Sequence, residues 1–246
     1  MRMILETIHQ ARGKSKIFCL LIDPENHTRS TLVRLVEEAN QAHVDFILVG
    51  GSLLSQTLDH SIRMIKEHTG IPVVLFPGSL MQVSPHADGI LFLSLISGRN
   101  PDLLIGNHVL AAKMIRKSGL EVIPTGYILL GGEQVSSVEY ISNTKPIPAQ
   151  KTDLVSATAL AGELLGHRLI YLESGSGAEQ PVYPQIIRDV KKHVALPLAV
   201  GGGLQTPDDV HRVCLAGADV VVVGNALEKD PLMIRDMTAV TRSSLQ

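Results

Sequence analysis

The chain is poor in aromatic residues: among 246 residues there is no Trp, and Tyr and Phe occur four times each. Lys and Arg total 22 against 24 Asp and Glu, a net charge of −2. With neither a basic face nor a supply of stacking side chains, the composition argues against nucleic acid as a partner. Cysteine is equally scarce. Cys19 and Cys214 both lie in apolar runs without metal-ligand or disulfide spacing, and they read as buried small hydrophobes of a reducing compartment. The longest apolar stretches, such as residues 89–96 and 218–223, fall far short of the roughly 18 residues that span a bilayer. Residues 1–16 hold no apolar block followed by small residues, so no signal peptide is expected and the location is expected to be cytoplasmic.

Further absences narrow the chemistry. No His-x-His follows the first apolar run, which disfavours a binuclear zinc site, and the ten His residues are scattered without ligand spacing. No Lys closes a predicted strand, which disfavours Schiff-base chemistry. No Gly-x-x-x-x-Gly-Lys phosphate loop occurs.

What is present is a repeating unit. Short β-branched runs at residues 17–22, 46–49, 73–76, 89–93, 121–127, 169–173, 198–200 and 219–223 are each predicted as strands. Most are continuously apolar, as parallel strands buried on both faces must be. Helical spacing falls between them, as at Leu32, Leu35, Val36 and Ala39, and Thr206-Pro207-Asp208-Asp209 has the hydroxyl cap, first-turn Pro and acids that start a helix. Asp230-Pro231 repeats the device before the last helix. Eight such units in about 250 residues fit a single (β/α)8 TIM barrel occupying residues 1–246; a doubly wound open sheet is the alternative, with fewer strands at this length. Only twelve residues, 77–88, separate the third and fourth strands, and Pro77 and Pro85 interrupt them, so helix 3 is predicted to be missing or replaced by an extended segment. Residues 130–152, with Gly131-Gly132, Pro146 and Pro148, form a long loop on the active side and are a candidate lid.

In a barrel, chemistry sits at the strand C-termini. There the chain places Asp23, Gly50-Gly51-Ser52, Pro77-Gly78, Ser94, Tyr127, Glu173, Gly201-Gly202-Gly203 and Gly224-Asn225. The glycine-rich loops after the last two strands match the recurrent phosphate site of this fold, with Asn225 opening a short helical segment; tight turns are the plainer account. By alternation Tyr171 and Glu173 share one strand face, and Glu173 is either a proton acceptor or a salt-bridged rim carboxylate. Asp23, with Ser52 beside it, is either a strand-to-turn Asp before Pro24 or a hard oxygen ligand for Mg²⁺.

Leu21-Ile22-Asp23-Pro24, Val49-Gly50-Gly51-Ser52, Tyr171-Leu172-Glu173-Ser174-Gly175-Ser176-Gly177, Val200-Gly201-Gly202-Gly203 and Val223-Gly224-Asn225, taken together and in order from about residue 16 to 230, resemble the geranylgeranylglyceryl phosphate synthase family. The short third unit also fits that family's modified barrel. The resemblance implies a prenyltransferase that joins sn-glycerol 1-phosphate to a polyprenyl diphosphate, geranylgeranyl above all, as an ether. It implies Mg²⁺ held by Asp23 and Ser52. It implies glycerol phosphate bound by Tyr171, Leu172, Glu173, Ser174, Gly175, Ser176 and Gly177 with Gly202, Gly203, Gly224 and Asn225, and Glu173 as the group that takes the proton of the glycerol 3-hydroxyl. Arg99 and Lys145 are weaker candidates for diphosphate contacts. Leu21 stands where one branch of the family carries Lys, so the resemblance is to the other branch, whose bacterial and archaeal members form dimers or larger assemblies; a homo-oligomer is therefore expected. Two rivals are another phosphate-gripping barrel enzyme of the phosphosugar isomerase type and a non-enzymatic isoprenoid or phospholipid carrier.

Overall fold

In a computed structural model that describes residues 3–54, 57–131 and 135–244, the predicted strands close into a ring. They are β1 (Ile17–Ile22), β2 (Phe46–Val49), β3 (Val73–Leu75), β4 (Gly89–Leu95), β5 (Glu121–Gly131), β7 (Leu169–Glu173), β8 (Leu198–Gly201) and β9 (Val220–Val223). Every pairing is parallel, and β9 returns to β1 at Ile17↔Val220. A two-residue strand, β6 (Ile147–Pro148), hangs outside the ring on the end of β5 at Leu130↔Ile147. The helices are α1 (Ile4–Ala11), α2 (Arg29–Gln41), α3 (Asp59–His68), α4 (Asn107–Ser118), α5 (Ser137–Ser142), α6 (Thr152–Leu164), α7 (Pro184–His193), α8 (Pro207–Ala216), α9 (Asn225–Lys229) and α10 (Met233–Ser243).

Side-chain alternation splits the core in two. One set of each strand meets the helices, as Ile47, Ile90, Ile170 and Leu172 do; the other fills the barrel, as Leu48, Leu91, Tyr127 and Tyr171 do. The α2 positions Leu32, Leu35, Val36 and Ala39 are all buried, as their spacing predicts. Thr206 and Asp209 form a reciprocal capping box at the start of α8, a device typically worth about 1 kcal/mol. Asp230 accepts from the Leu232 amide at 3.1 Å, so the Asp-Pro pair makes a turn and α10 begins two residues later than the motif suggests. Cys19 and Cys214 are both buried and unpaired, and burial pushes both thiols up.

Three features depart from a regular barrel. No α-helix follows β3; a single 3-10 turn at Leu80–Gln82 leads into β4, as the spacing of the two prolines predicts. The strand predicted to end at Tyr127 runs on to Gly131, because Ile128, Leu129 and Leu130 continue the apolar run and pair with β7 and β6. Tyr127 therefore lies within the barrel beside Tyr171, not at a strand end. The third feature is α1, which closes the barrel floor with Ile4 and Ile8 and has its first amides held by the Glu121 carboxylate at 2.6 and 2.8 Å. Of the long loop at 130–152, residues 132–134, Gly132 among them, lie outside the described residues. Within the described part, α5 is capped by Ser136, and the Asn100 side chain donates to the Ser142 carbonyl at 2.8 Å.

Candidate active site

The open end of the barrel holds a cavity of about 1210 Å³. Its walls come from three parts of the chain with different chemistry.

The first wall is built by the ends of β7, β8 and β9. Glu173 closes β7 with its side chain pointing inward, 5% exposed. Its Oε1 accepts from the Gly175 amide at 2.7 Å. Burial raises its pKa to about 7; the Gly175 amide and the nearby Tyr171 hydroxyl pull the other way and only partly offset it. That hydroxyl is buried beside Glu173 without forming a well-aligned hydrogen bond to protein among the described residues. Beneath it Tyr171 stacks on Phe76 and on Tyr127, each at 5.3 Å between ring centres. Three of the eight aromatic residues are thus spent as a dry floor under one carboxylate, which is the physical origin of its high pKa. Gly202 (φ +79°) has to be glycine twice over: its backbone is left-handed, and a Cβ would collide with Glu173 Oε1. The Ser176 hydroxyl reaches Asn225 Oδ1 at 3.4 Å, tying the β7 loop to the start of α9. Ser176, Gly177, Gly202, Gly203, Gly224 and Asn225 all line the cavity, as the sequence reading places them. Leu172 does not: its side chain is in the outer core against the helices. Ser174 lies behind the wall, its amide bonded to the Gly201 carbonyl at 3.2 Å.

The second wall joins β1, β2 and β3. Asp23 is half-buried; burial raises its pKa and the Glu25 amide, bonded to Oδ1 at 3.1 Å, opposes the rise. Its Oδ2 faces Gly51, where a Cβ would collide with it, so glycine lets the Ser52 loop close over the carboxylate. Asp23 and Ser52 thus line the same wall of the cavity. Glu228 accepts from the Asp23 amide at 3.4 Å and from Asn26 at 3.1 Å. Burial raises its pKa, but its bonds to His27, Asp23 and Asn26 outweigh that and leave it lowered. Among the described residues no three His, Cys, Asp or Glu side chains cluster as a metal nest. A single half-buried carboxylate with a hydroxyl suits Mg²⁺, which keeps several waters and takes phosphate oxygens, and does not suit zinc.

The third wall is apolar and exists because a helix is missing. The outward face of β4, Ile90 and Phe92, would be covered by the third barrel helix; here it borders the cavity together with Val83, Leu103, Ala111 and Ile115. His108 crosses this groove edge-on to Phe92, ring centres 4.5 Å apart, with Nε2 at 3.1 Å from Ser94 Oγ. Burial lowers its pKa, so the ring is neutral at pH 7.

Neither Arg99 nor Lys145 lines the cavity. The Arg99 guanidinium is turned onto the carbonyls of Ile96 and Gly98, at 3.3 and 2.6 Å. Lys229, on α9, does line it, as do Asn26 and Glu228. Sequence reasoning stopped at Asn225 and missed all three; for Lys229 and Glu228 the signal was their place one helical turn beyond a phosphate loop. Val138, Ile141 and Ser142 of α5 border the mouth, so the described part of the candidate lid segment faces the site.

A model of the PcrB family matches residues 9–241. The chain is 48% identical over 223 residues to the geranylgeranylglyceryl phosphate synthase of Chitinophaga pinensis, covering 90% of this chain and 88% of that one. It is 42% identical over 224 residues to the enzyme of the same name from Thermococcus gammatolerans, with the same coverage. Among solved structures it is similar to (S)-3-O-geranylgeranylglyceryl phosphate synthase from Thermoplasma acidophilum in complex with sn-glycerol-1-phosphate, at a TM-score of 0.94 and 32% identity over 99% of this chain and all of that one. The tryptophan synthase of Mycobacterium tuberculosis, at 13% identity and a TM-score of 0.63, shares the fold alone.

Proposed function

The chain belongs to the PcrB family, and from that premise we propose that it forms an ether between the 3-hydroxyl of sn-glycerol 1-phosphate and C1 of a polyprenyl diphosphate of the geranylgeranyl class, releasing diphosphate. The observation that carries the reading is the seat of Glu173. A buried carboxylate with a pKa near 7 stands between glycine-rich loops on one side and a carboxylate–hydroxyl pair opening onto an apolar groove on the other.

The polar wall grips the phosphate of the acceptor through the loop backbones at Gly177, Gly203 and Gly224, where the absence of side chains lets an anion approach. The opposite wall receives the donor: its hydrocarbon in the Ile90–Phe92–Ala111–Ile115 groove, its diphosphate towards Asp23, Ser52 and Lys229. Asp23 and Ser52 would hold Mg²⁺, and the bound ion would supply neutralisation of the charge on the departing diphosphate. Glu173 takes the proton of the 3-hydroxyl as that oxygen bonds to C1, while the C1–O bond to diphosphate breaks and carries its electron pair away. An allylic C1 develops positive charge early, so a carboxylate is a sufficient base. The aromatic floor excludes water that would otherwise hydrolyse the donor. An isomerase of the rival type needs a second acid–base group facing Glu173 within the barrel. The phenols of Tyr127 and Tyr171 fill that space, and burial raises both far above their usual range.

The test is product analysis with MgCl₂, labelled sn-glycerol 1-phosphate and geranylgeranyl, farnesyl or heptaprenyl diphosphate in parallel, with sn-glycerol 3-phosphate as control. An organic-extractable ether phosphate made from the 1-phosphate and lost in EDTA is expected. No product from any donor, with phosphate still bound, would overturn the reading in favour of a carrier.

A further inference from the structure

The donor wall has an unusual construction. In the rest of the ring the loop after a strand leads into a helix that packs on the barrel; after β3 that support is absent, and the loop turns at once through Leu80–Gln82. A single side chain replaces it. Gln82 is 1% exposed. Its Oε1 accepts from the Gly78 amide at 3.0 Å and from the Gly51 amide at 3.3 Å, and its Nε2 donates to the Gly51 carbonyl at 2.7 Å. The amide is therefore an acceptor for two loops and a donor to one of them. An ionised Glu of the same length would lack the donor, and a Met would lack both.

The two loops are pressed together where Gln82 joins them. A Cβ on Gly78 would collide with the Gly51 carbonyl and reach the Ser52 Cα, and one on Gly50 would collide with the Phe76 carbonyl. Gly51 in turn abuts Asp23 Oδ2. A continuous chain of contacts thus runs from Gln82 through Gly51 to the carboxylate and hydroxyl of the donor wall, and it bypasses the acceptor wall.

We propose that Gln82 is a positioning residue for the donor site: it holds the Gly51–Ser52 backbone against Asp23 so that the diphosphate and its cation meet a preformed seat. This rests on the donor-site reading given above. Gln82 itself touches neither substrate; it acts through the two glycines. Partners that orient ligand-bearing groups in this way typically contribute about 10- to 100-fold in metal affinity or activity.

The experiment compares Gln82→Met, which keeps the volume and loses all three bonds, with Gln82→Glu, which keeps two acceptors but loses the donor and adds a charge. Calorimetry measures binding of inorganic pyrophosphate in MgCl₂ and, separately, of sn-glycerol 1-phosphate; thermal unfolding is followed in parallel, and the KM for geranylgeranyl diphosphate is set against kcat. Expected for both variants is a pyrophosphate affinity weakened about tenfold or more, and a donor KM raised to match, with glycerol phosphate affinity within about twofold of the parent. Unchanged pyrophosphate affinity, or glycerol phosphate affinity falling in step with it, would overturn the proposal, the second because it reports a softened barrel. Asp23→Asn separates the two readings. If it weakens pyrophosphate binding and the Gln82 variants do not, the positioning role fails alone. If it has no effect while Gln82→Met does, the clamp stands and the assignment of Asp23 to the cation fails.

Discussion

In the proposed reaction two of the walls of the mouth would solve the same problem, holding a phosphate group, by opposite means. The acceptor wall is made of backbone: three glycine-rich loops, each leaving a strand that packs on its neighbours in register, with helices behind. Its shape follows from which residues lack a side chain. The donor wall is made of side chains on loops, Asp23 and Ser52, with the Gln82 amide behind them on the Gly51 and Gly78 backbone, beside a gap where a helix would stand. A wall of backbone is rigid because the sheet is rigid, and it suits a small polar substrate of fixed size. A wall of loops next to an open groove suits a substrate with a small charged head and a long tail.

The largest effect on this contrast is expected at Glu173, which sits where the walls meet. Glu173→Gln should lower kcat by about 10²- to 10⁴-fold, the usual range for a general base, with both substrates still bound; steady-state kinetics with calorimetry checks it. Next is Gly202→Ala. The new Cβ meets the Glu173 carboxylate in a left-handed backbone, so the KM for glycerol phosphate should rise roughly tenfold while donor binding is spared, since a 1.4 kcal/mol disturbance is a factor of ten and strained φ costs of order 1–3 kcal/mol. A comparable loss in donor affinity would show that the walls are not independent. Third, kcat/KM should rise with pH through about 7, because a carboxylate acting as the proposed base must be ionised and burial raises that of Glu173 to about 7.

The same group sets a stability trend of opposite sign. Its folded pKa lies above the ordinary value of 4.5, so the folded chain binds more protons than the unfolded one between those values. The protein should therefore lose stability as pH rises from about 4.5 to about 7, by on the order of 3 kcal/mol from this group. Denaturant titrations at pH 5 and pH 8 test it, and Glu173→Gln should flatten the difference. The smallest effect is expected in the groove. Ala111→Phe should raise the KM for long donors a few-fold through overpacking, of order 1 kcal/mol, and leave a short donor and glycerol phosphate unaffected in competition assays with donors of different length.

Legibility in the sequence follows the same division. The acceptor wall could be read because its glycines are clustered and its strands are continuous apolar runs; Glu173, Gly202 and Asn225 are where the motifs place them. The missing third helix could be read because prolines and a short spacing leave it no room. Gln82 could not be, since nothing about one Gln in an irregular segment marks it; its meaning comes from Gly51, which lies 31 positions away in the chain. The α1 floor was invisible for the same reason, because Glu121, which holds its first amides, is over a hundred positions distant. The overrun of β5 beyond Tyr127 is carried first by β7, at Ile128 and Leu129, and its last two residues by β6, a strand too short for any local pattern.

The gap left by the third helix also separates two properties that a closed ring would couple. Because the groove runs down the outer flank of β4, a hydrocarbon tail bound as proposed would leave the mouth sideways, clear of the barrel axis that Tyr127, Tyr171 and Phe76 fill. In the proposed reaction tail length would then depend on Ile90, Phe92, Ala111 and Ile115, which belong to β4 and α4 and not to the strand that carries Glu173. A lineage could retune the length of its lipid by substitutions on one strand and one helix, while the proton-transfer machinery stays under separate selection.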